Sequence, residues 1–202
     1  MLVLKGSKMR YCIFIIASII LIGCSFENPS KGPLEEALAK SNSIAKLVSE
    51  FPADSILSVR ERLNAAKEDV RWLGVEASVE FVRSDAPTIS KLSEASRYLK
   101  DAPQRINGLN SECGRCANQI NGLLGIISSG ASIDAKGDTI NEEYISINAA
   151  REIEAVAKLE EVYLETERLF RLGLETDNEY WALIDSLLTA KKGIWARSIA
   201  EE

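Results

Sequence analysis

Histidine is absent from the 202 residues. That absence removes the Ser-His and Cys-His nucleophile systems and the Glu-x-x-His di-iron bundle, and it leaves zinc with no imidazole ligand. Proline is scarce, with five in the chain, and aromatic residues make up 6%. The apolar/polar alternation of a half-buried strand is not found anywhere. Positive charge is neither in excess nor clustered: 24 Lys plus Arg face 30 Asp plus Glu, a net charge of −6. Nucleic acid is therefore a poor partner, because phosphate binding needs concentrated positive charge. Only one long apolar run exists, Tyr11 to Ile22, and it falls well short of the roughly 20 residues that span a bilayer.

That run has a definite setting. Lys5, Lys8 and Arg10 precede it and Leu21-Ile22-Gly23-Cys24 closes it, which is the order of a secretory signal: basic region, short apolar core, small residue at the cut. The ending resembles the lipobox of bacterial lipoprotein precursors. The resemblance covers only about the first 25 residues. It implies that Cys24 Sγ receives a diacylglyceryl group, that the signal is cut after Gly23, and that the new amino group of Cys24 is acylated. Each buried methylene contributes about 0.8 kcal/mol, so several acyl chains on one residue would hold the protein on a membrane almost permanently. By resemblance to enterobacterial sorting rules, Ser25 after the cysteine favours an outer membrane, with the protein facing the periplasm and the cell surface as the alternative. Residues 1–23 are then the signal peptide and 24–32, with Asn28, Pro29, Ser30 and Gly32, a lipidated tether that solvates better than it packs. Residues 33–202 form one domain, and the chain from Cys24 onward carries a net charge of −9.

From Pro33 the apolar residues recur at steps of three and four, the period of a helix with one buried stripe. Leu34, Ala37, Ser41, Ile44, Val48 and Phe51 make a first face, which Pro52 interrupts because proline lacks the N–H that a helix interior needs. Ile56, Val59, Leu63, Ala66, Val70, Leu73 and Ala77 continue it to about Val82, and Ser84 or Asp85 can cap the next start, with Pro87 in its first turn. From Leu92 to Ile127 the stripe keeps a strict 4-3 rhythm through Ala95, Leu99, Ala102, Ile106, Leu109, Cys113, Cys116, Ile120 and Leu123, the heptad of coiled-coil-like packing. Pro103 inside it predicts a kink near residue 100. Ser128 to Gly137 reads as a loop, and a last helix runs from about residue 138 through Ile145, Tyr163 and Phe170 toward Leu188, with Gly193 its expected end. The fold class is all-α: an elongated antiparallel bundle of three long helices with the first broken near Pro52, or of four to five shorter ones. Helical repeats are the runner-up, but no period of about 34 residues recurs.

The chemistry-bearing constellation is Cys113-Gly114-Arg115-Cys116. Two cysteines three apart can form a strained local disulfide, serve as small buried hydrophobes, or act as a redox pair. Their place on the apolar stripe, without a βαβ setting, argues against the last. Ala117 stands where haem attachment would need histidine. The carboxylates of the last helix (Glu142, Glu143, Glu152, Glu154, Glu160, Glu161, Glu165, Glu167) fall mostly opposite the stripe and read as a solvated face. Asp134-Ala135-Lys136-Gly137-Asp138 fails the EF-hand pattern, with Lys136 at a ligand position and Ile145 where the bidentate glutamate belongs. Neither a metal nor a cofactor is expected. Trp72 belongs at the core margin. Trp181, Trp195 and Arg197 offer an interaction patch, Trp and Arg being common at hot spots, unless the tail folds back on the bundle. The expected role is binding or scaffolding of another envelope protein without catalysis. A thiol-disulfide protein using Cys113 and Cys116, or an inhibitor or immunity-type lipoprotein, are the alternatives.

Overall fold

A computed structural model of the protein describes residues 28–134 and 137–200, so Cys24, the signal and the start of the tether lie outside the described residues. Five α-helices follow one another: α1 Lys31–Ser49, α2 Ala53–Val75, α3 Ala86–Leu99, α4 Ala102–Ser129 and α5 Glu142–Ser198, with a 3-10 turn at Arg83–Asp85. They make three antiparallel passes, α1 with α2, α3 with α4, and α5 alone. At about 1.5 Å per residue, the 57 residues of α5 form a spine of about 85 Å along the whole bundle. The expected all-α bundle is thus observed, as five helices in three passes, with the first pass broken at Pro52 and the last a single long helix.

Both flanking passes break, and each break has a local cause. At the first, Pro52 (φ −74°, ψ 64°) has no N–H to continue α1, and the chain restarts with Ala53 N donating to Phe51 O at 2.7 Å. At the second, continuing the helix would drive the Pro103 ring into the carbonyl of residue 99. The helix stops at Leu99 instead and resumes so that Pro103 sits in the first turn of α4. The expected kink is therefore a complete interruption. Arg60 Nε donates to the carbonyl that Lys100 leaves free, at 3.0 Å. The heptad stripe nevertheless stays in phase across the gap: of its residues from Leu92 to Ile127, all are buried except Ile106 and Ile127, which are half-buried.

Other boundaries differ from the sequence reading. α1 takes Lys31 and Gly32, expected in the tether, into its first turn. α2 ends at Val75 rather than Val82 because Ser78 adopts a left-handed φ of 53°, with Ala77 N bonded to Trp72 O and Val79 N to Leu73 O, so that Val79 turns back into the core. Asp85 bonds to Val82 N (2.9 Å), closing the 3-10 turn rather than capping α3. The loop extends to Asn141, whose side chain accepts from Tyr144 N at 2.8 Å and caps α5. Gly193 does not end α5. The helix runs on to Ser198, since Trp195 packs edge-on against Trp72 with centroids 4.8 Å apart, and that contact outweighs the roughly 1 kcal/mol a mid-helix glycine costs.

The apolar interior is two cores in line. One is formed by α1, α4 and the first half of α5, around Leu34, Ile44, Leu109, Cys116, Ile120 and Val156. The other is formed by α2, α3 and the second half of α5, around Ile56, Leu63, Leu73, Leu92, Leu99 and Ile184. Phe51, at the first break, packs against both. The two breaks lie level on the spine: Phe51 meets Tyr163 and Phe170, and Leu99 meets Gly173.

Candidate functional site

Cys113 and Cys116 sit on the buried stripe of α4 as free thiols, so the local disulfide is not formed in this structure. Ser41 of α1 donates to the Cys113 carbonyl at 3.3 Å. Burial pushes the Cys113 thiol above its ordinary pKa, and Cys116 and Glu112 add to the effect. Burial raises Cys116 likewise, against the pull of Arg115 and with a push from Glu152. A thiol that resists ionisation among leucines is a poor nucleophile. The pair fills space between α1, α4 and α5, and its geometry offers no approach to a substrate disulfide.

The tail patch divides in two. Trp181 and Trp195 are fourteen residues apart on a continuous helix, hence on nearly the same face but about 21 Å apart along the axis. Trp181 lies under the Arg62 guanidinium, 4.1 Å from the ring centroid. Trp195 belongs to the end of the bundle with Trp72, and Arg197 is exposed beside it, its guanidinium drawn back over Gly193. This end is tied together by Lys191, which is buried and donates to Glu80 O and Asp85 Oδ2, both at 2.7 Å. The Lys191 hydrogen bond, with a smaller contribution from Val82 N, holds the Asp85 carboxyl below its ordinary range. Lys192 reaches Asp69 at 2.6 Å. The result is an end face made of the last turns of α2 and α5 and the 76–85 connection, on which Val75, Val82, Ile194 and Ile199 stand exposed.

A further polar group lies in the second core. Asp177 is 4% exposed, paired with Arg62 through Oδ2, while its Oδ1 has no partner. Burial raises its pKa, outweighing the pull of Arg62. The sequence carried a signal for it: Phe170, Asp177, Ile184 and Lys191 stand at intervals of seven, so an aspartate and a lysine occupy stripe positions. Of the eight last-helix glutamates named from the sequence, all are exposed except Glu160 and Glu152, which are half-buried. Among the described residues, no three His, Cys, Asp or Glu side chains converge on a point where a metal could sit, and no helix is long and apolar enough to cross a membrane. Asp134 instead accepts from Asp138 N at 2.9 Å and from the Tyr144 hydroxyl at 3.1 Å, which organises the loop before α5.

No protein-family model matches the chain, and neither a curated protein nor a solved structure significantly resembles it.

Proposed function

We propose that the protein is a lipid-anchored component of a bacterial cell envelope, held through Cys24, that binds another envelope protein with the far end of its helical rod. The observation that carries this reading is the polarity of the bundle. Three passes put the two termini at opposite ends: Asn28, four residues after Cys24, lies beside the α4–α5 loop, and Trp195 and Arg197 lie about 85 Å away along α5. An anchor at one pole and an exposed face of apolar, aromatic and basic residues at the other is the arrangement of a spacer that carries a contact surface clear of the membrane. An outer-membrane site facing the periplasm fits Ser25, and an acidic, histidine-free rod supplies rigidity without catalytic groups.

The test is fractionation and crosslinking in intact envelopes. The wild-type protein should partition with membranes and Cys24→Ser should not. A photocrosslinker at position 197 should capture one stoichiometric partner, and one placed at exposed Ser111 on α4 should not. A Cys24→Ser form that stays on the membrane refutes the anchor, and equal capture from both positions refutes the end face.

A further inference from the structure

The break between α1 and α2 uncovers α5 at mid-rod, leaving a cavity of 410 Å³. Its volume is that of a small-molecule site. Its floor is aromatic: Phe51 stacks on Tyr163 (centroids 5.7 Å apart, planes 12° apart) and meets Phe170 edge-on at 5.3 Å. Its rim is acidic, with Glu50, Glu167 and Glu175 against one guanidinium, Arg171. Arg171 is 3.5 Å from Glu175, and Glu50 is 4.0 Å from Lys46. Glu167 is exposed and has no ion-pair partner among the described residues.

Tyr163 brings a polar group to this aromatic floor. It is 7% exposed and lines the cavity, and its hydroxyl, which has no protein hydrogen-bond partner, keeps contact with solvent there. Burial raises its pKa, and the nearby Glu167 and Glu50 raise it further, so both carboxylates act on this hydroxyl. The phenol therefore stays protonated, with its oxygen free to accept.

The geometry points to a binding site for a primary alkylammonium ion at this mid-rod cavity, with the ammonium group between Glu167 and the Tyr163 oxygen and the alkyl body on Phe51 and Phe170. Each part of such a ligand has a counterpart. An ammonium group brings three N–H donors to a carboxylate and an unused phenol oxygen, aromatic faces attract a cation, and the alkyl chain covers apolar surface that the broken pass leaves open. A quaternary ammonium would lack the donors, and a neutral alcohol would lack the charge. This site is independent of the anchoring and end-face reading.

The test is calorimetric titration of the full-length protein with n-hexylammonium, n-hexanol and tetramethylammonium as probes. Saturable one-to-one binding of n-hexylammonium is expected, tighter than either comparator. Glu167→Gln, a change at an exposed position that leaves the fold intact, should weaken it about tenfold, the effect of a partly desolvated charge contact. Tyr163→Phe keeps the ring and should weaken it several-fold. Equal binding of n-hexylammonium and n-hexanol, or unchanged affinity in Glu167→Gln, would overturn the proposal. The source of the amine is read from a second pair: blocked N-acetyl-lysine amide binding more tightly than n-butylammonium assigns the site to a lysine side chain, and the reverse assigns it to a free amine.

Discussion

Of the described glycines, Gly173 is the one where an added Cβ would meet a neighbour most closely, and replacing it tests the account of the mid-rod breaks. A Cβ at this position would stand 2.5 Å from both Cγ and Cδ2 of Leu99, against about 3.5 to 4.0 Å for unstrained carbons. Leu99 is 0% exposed and Cγ is its branch point, so turning a terminal methyl does not relieve the clash. The leucine or the end of α3 must move by about 1 Å. Overpacking of this kind costs about 1 to 3 kcal/mol, and alanine returns about 1 kcal/mol of helix propensity. Gly173→Ala should therefore destabilise the protein by about 0 to 2 kcal/mol. Leu99→Ala alone should cost about 2 to 5 kcal/mol by leaving a cavity. In the double variant the new methyl occupies part of that cavity, so the combined loss should fall short of additivity by 1 kcal/mol or more, within the range seen for residues in contact. Urea unfolding followed by far-UV circular dichroism measures all four corners of this cycle. A Gly173→Ala protein more stable than wild type, or losses that add to within about 0.3 kcal/mol, would refute the close approach.

Two further outcomes follow from buried titratable groups. Because burial sets the folded pKa of Asp177 above its ordinary value near 3.8, its contribution is most favourable below that value and is lost as pH rises through the raised one. The melting temperature of wild type relative to Asp177→Asn should fall between pH 4 and 7, and a relative rise would mean that the Arg62 pair outweighs burial. At pH 8, iodoacetamide should modify Cys113 and Cys116 at least about a hundredfold more slowly in the native protein than in denaturant, since the thiols are buried and reluctant to ionise. Peptide mapping reads the two sites, and comparable rates would reopen the redox alternative.

The spacing of apolar residues was enough to identify the helices and which side of each is buried: every stripe residue from Leu34 to Val48 is buried, and the 92–127 heptad holds. Pro52 and Pro103 marked both breaks within a few residues. What was not legible depended on contacts between distant segments. Ser78 turns left-handed because Val79 can return to the core, and α5 continues through Gly193 because Trp72 waits for Trp195. No local property of serine or glycine announces either. The cysteine pair could be assigned to the stripe but not to a redox state, because a spacing of three is compatible with both thiol and bridge. Trp181 and Trp195 looked like one patch in sequence, and only a continuous helix separates them. The mid-rod cavity escaped notice because its parts come from the end of α1, the break and the middle of α5, and only tertiary alignment assembles Phe51, Tyr163 and Glu167.

The two in-line cores have a consequence for how the molecule comes apart. A single helix in water is held together mainly by what packs on it rather than by its own propensity, so each half of α5 depends on the core it covers. Loss of the α1–α4 core would strand the first half of the spine while leaving the second half its own leucines, and the reverse holds equally. Phe51 is the one side chain in a connecting segment that belongs to both cores. Cooperativity between the two units then runs through one phenylalanine and the peptide hydrogen bonds of two helices, α5 and the start of α4, whose Ala102 and Ile106 reach the second core. Truncating Phe51 should broaden a single unfolding transition toward two, turning a uniform rod into a pair of domains in tandem that share a backbone.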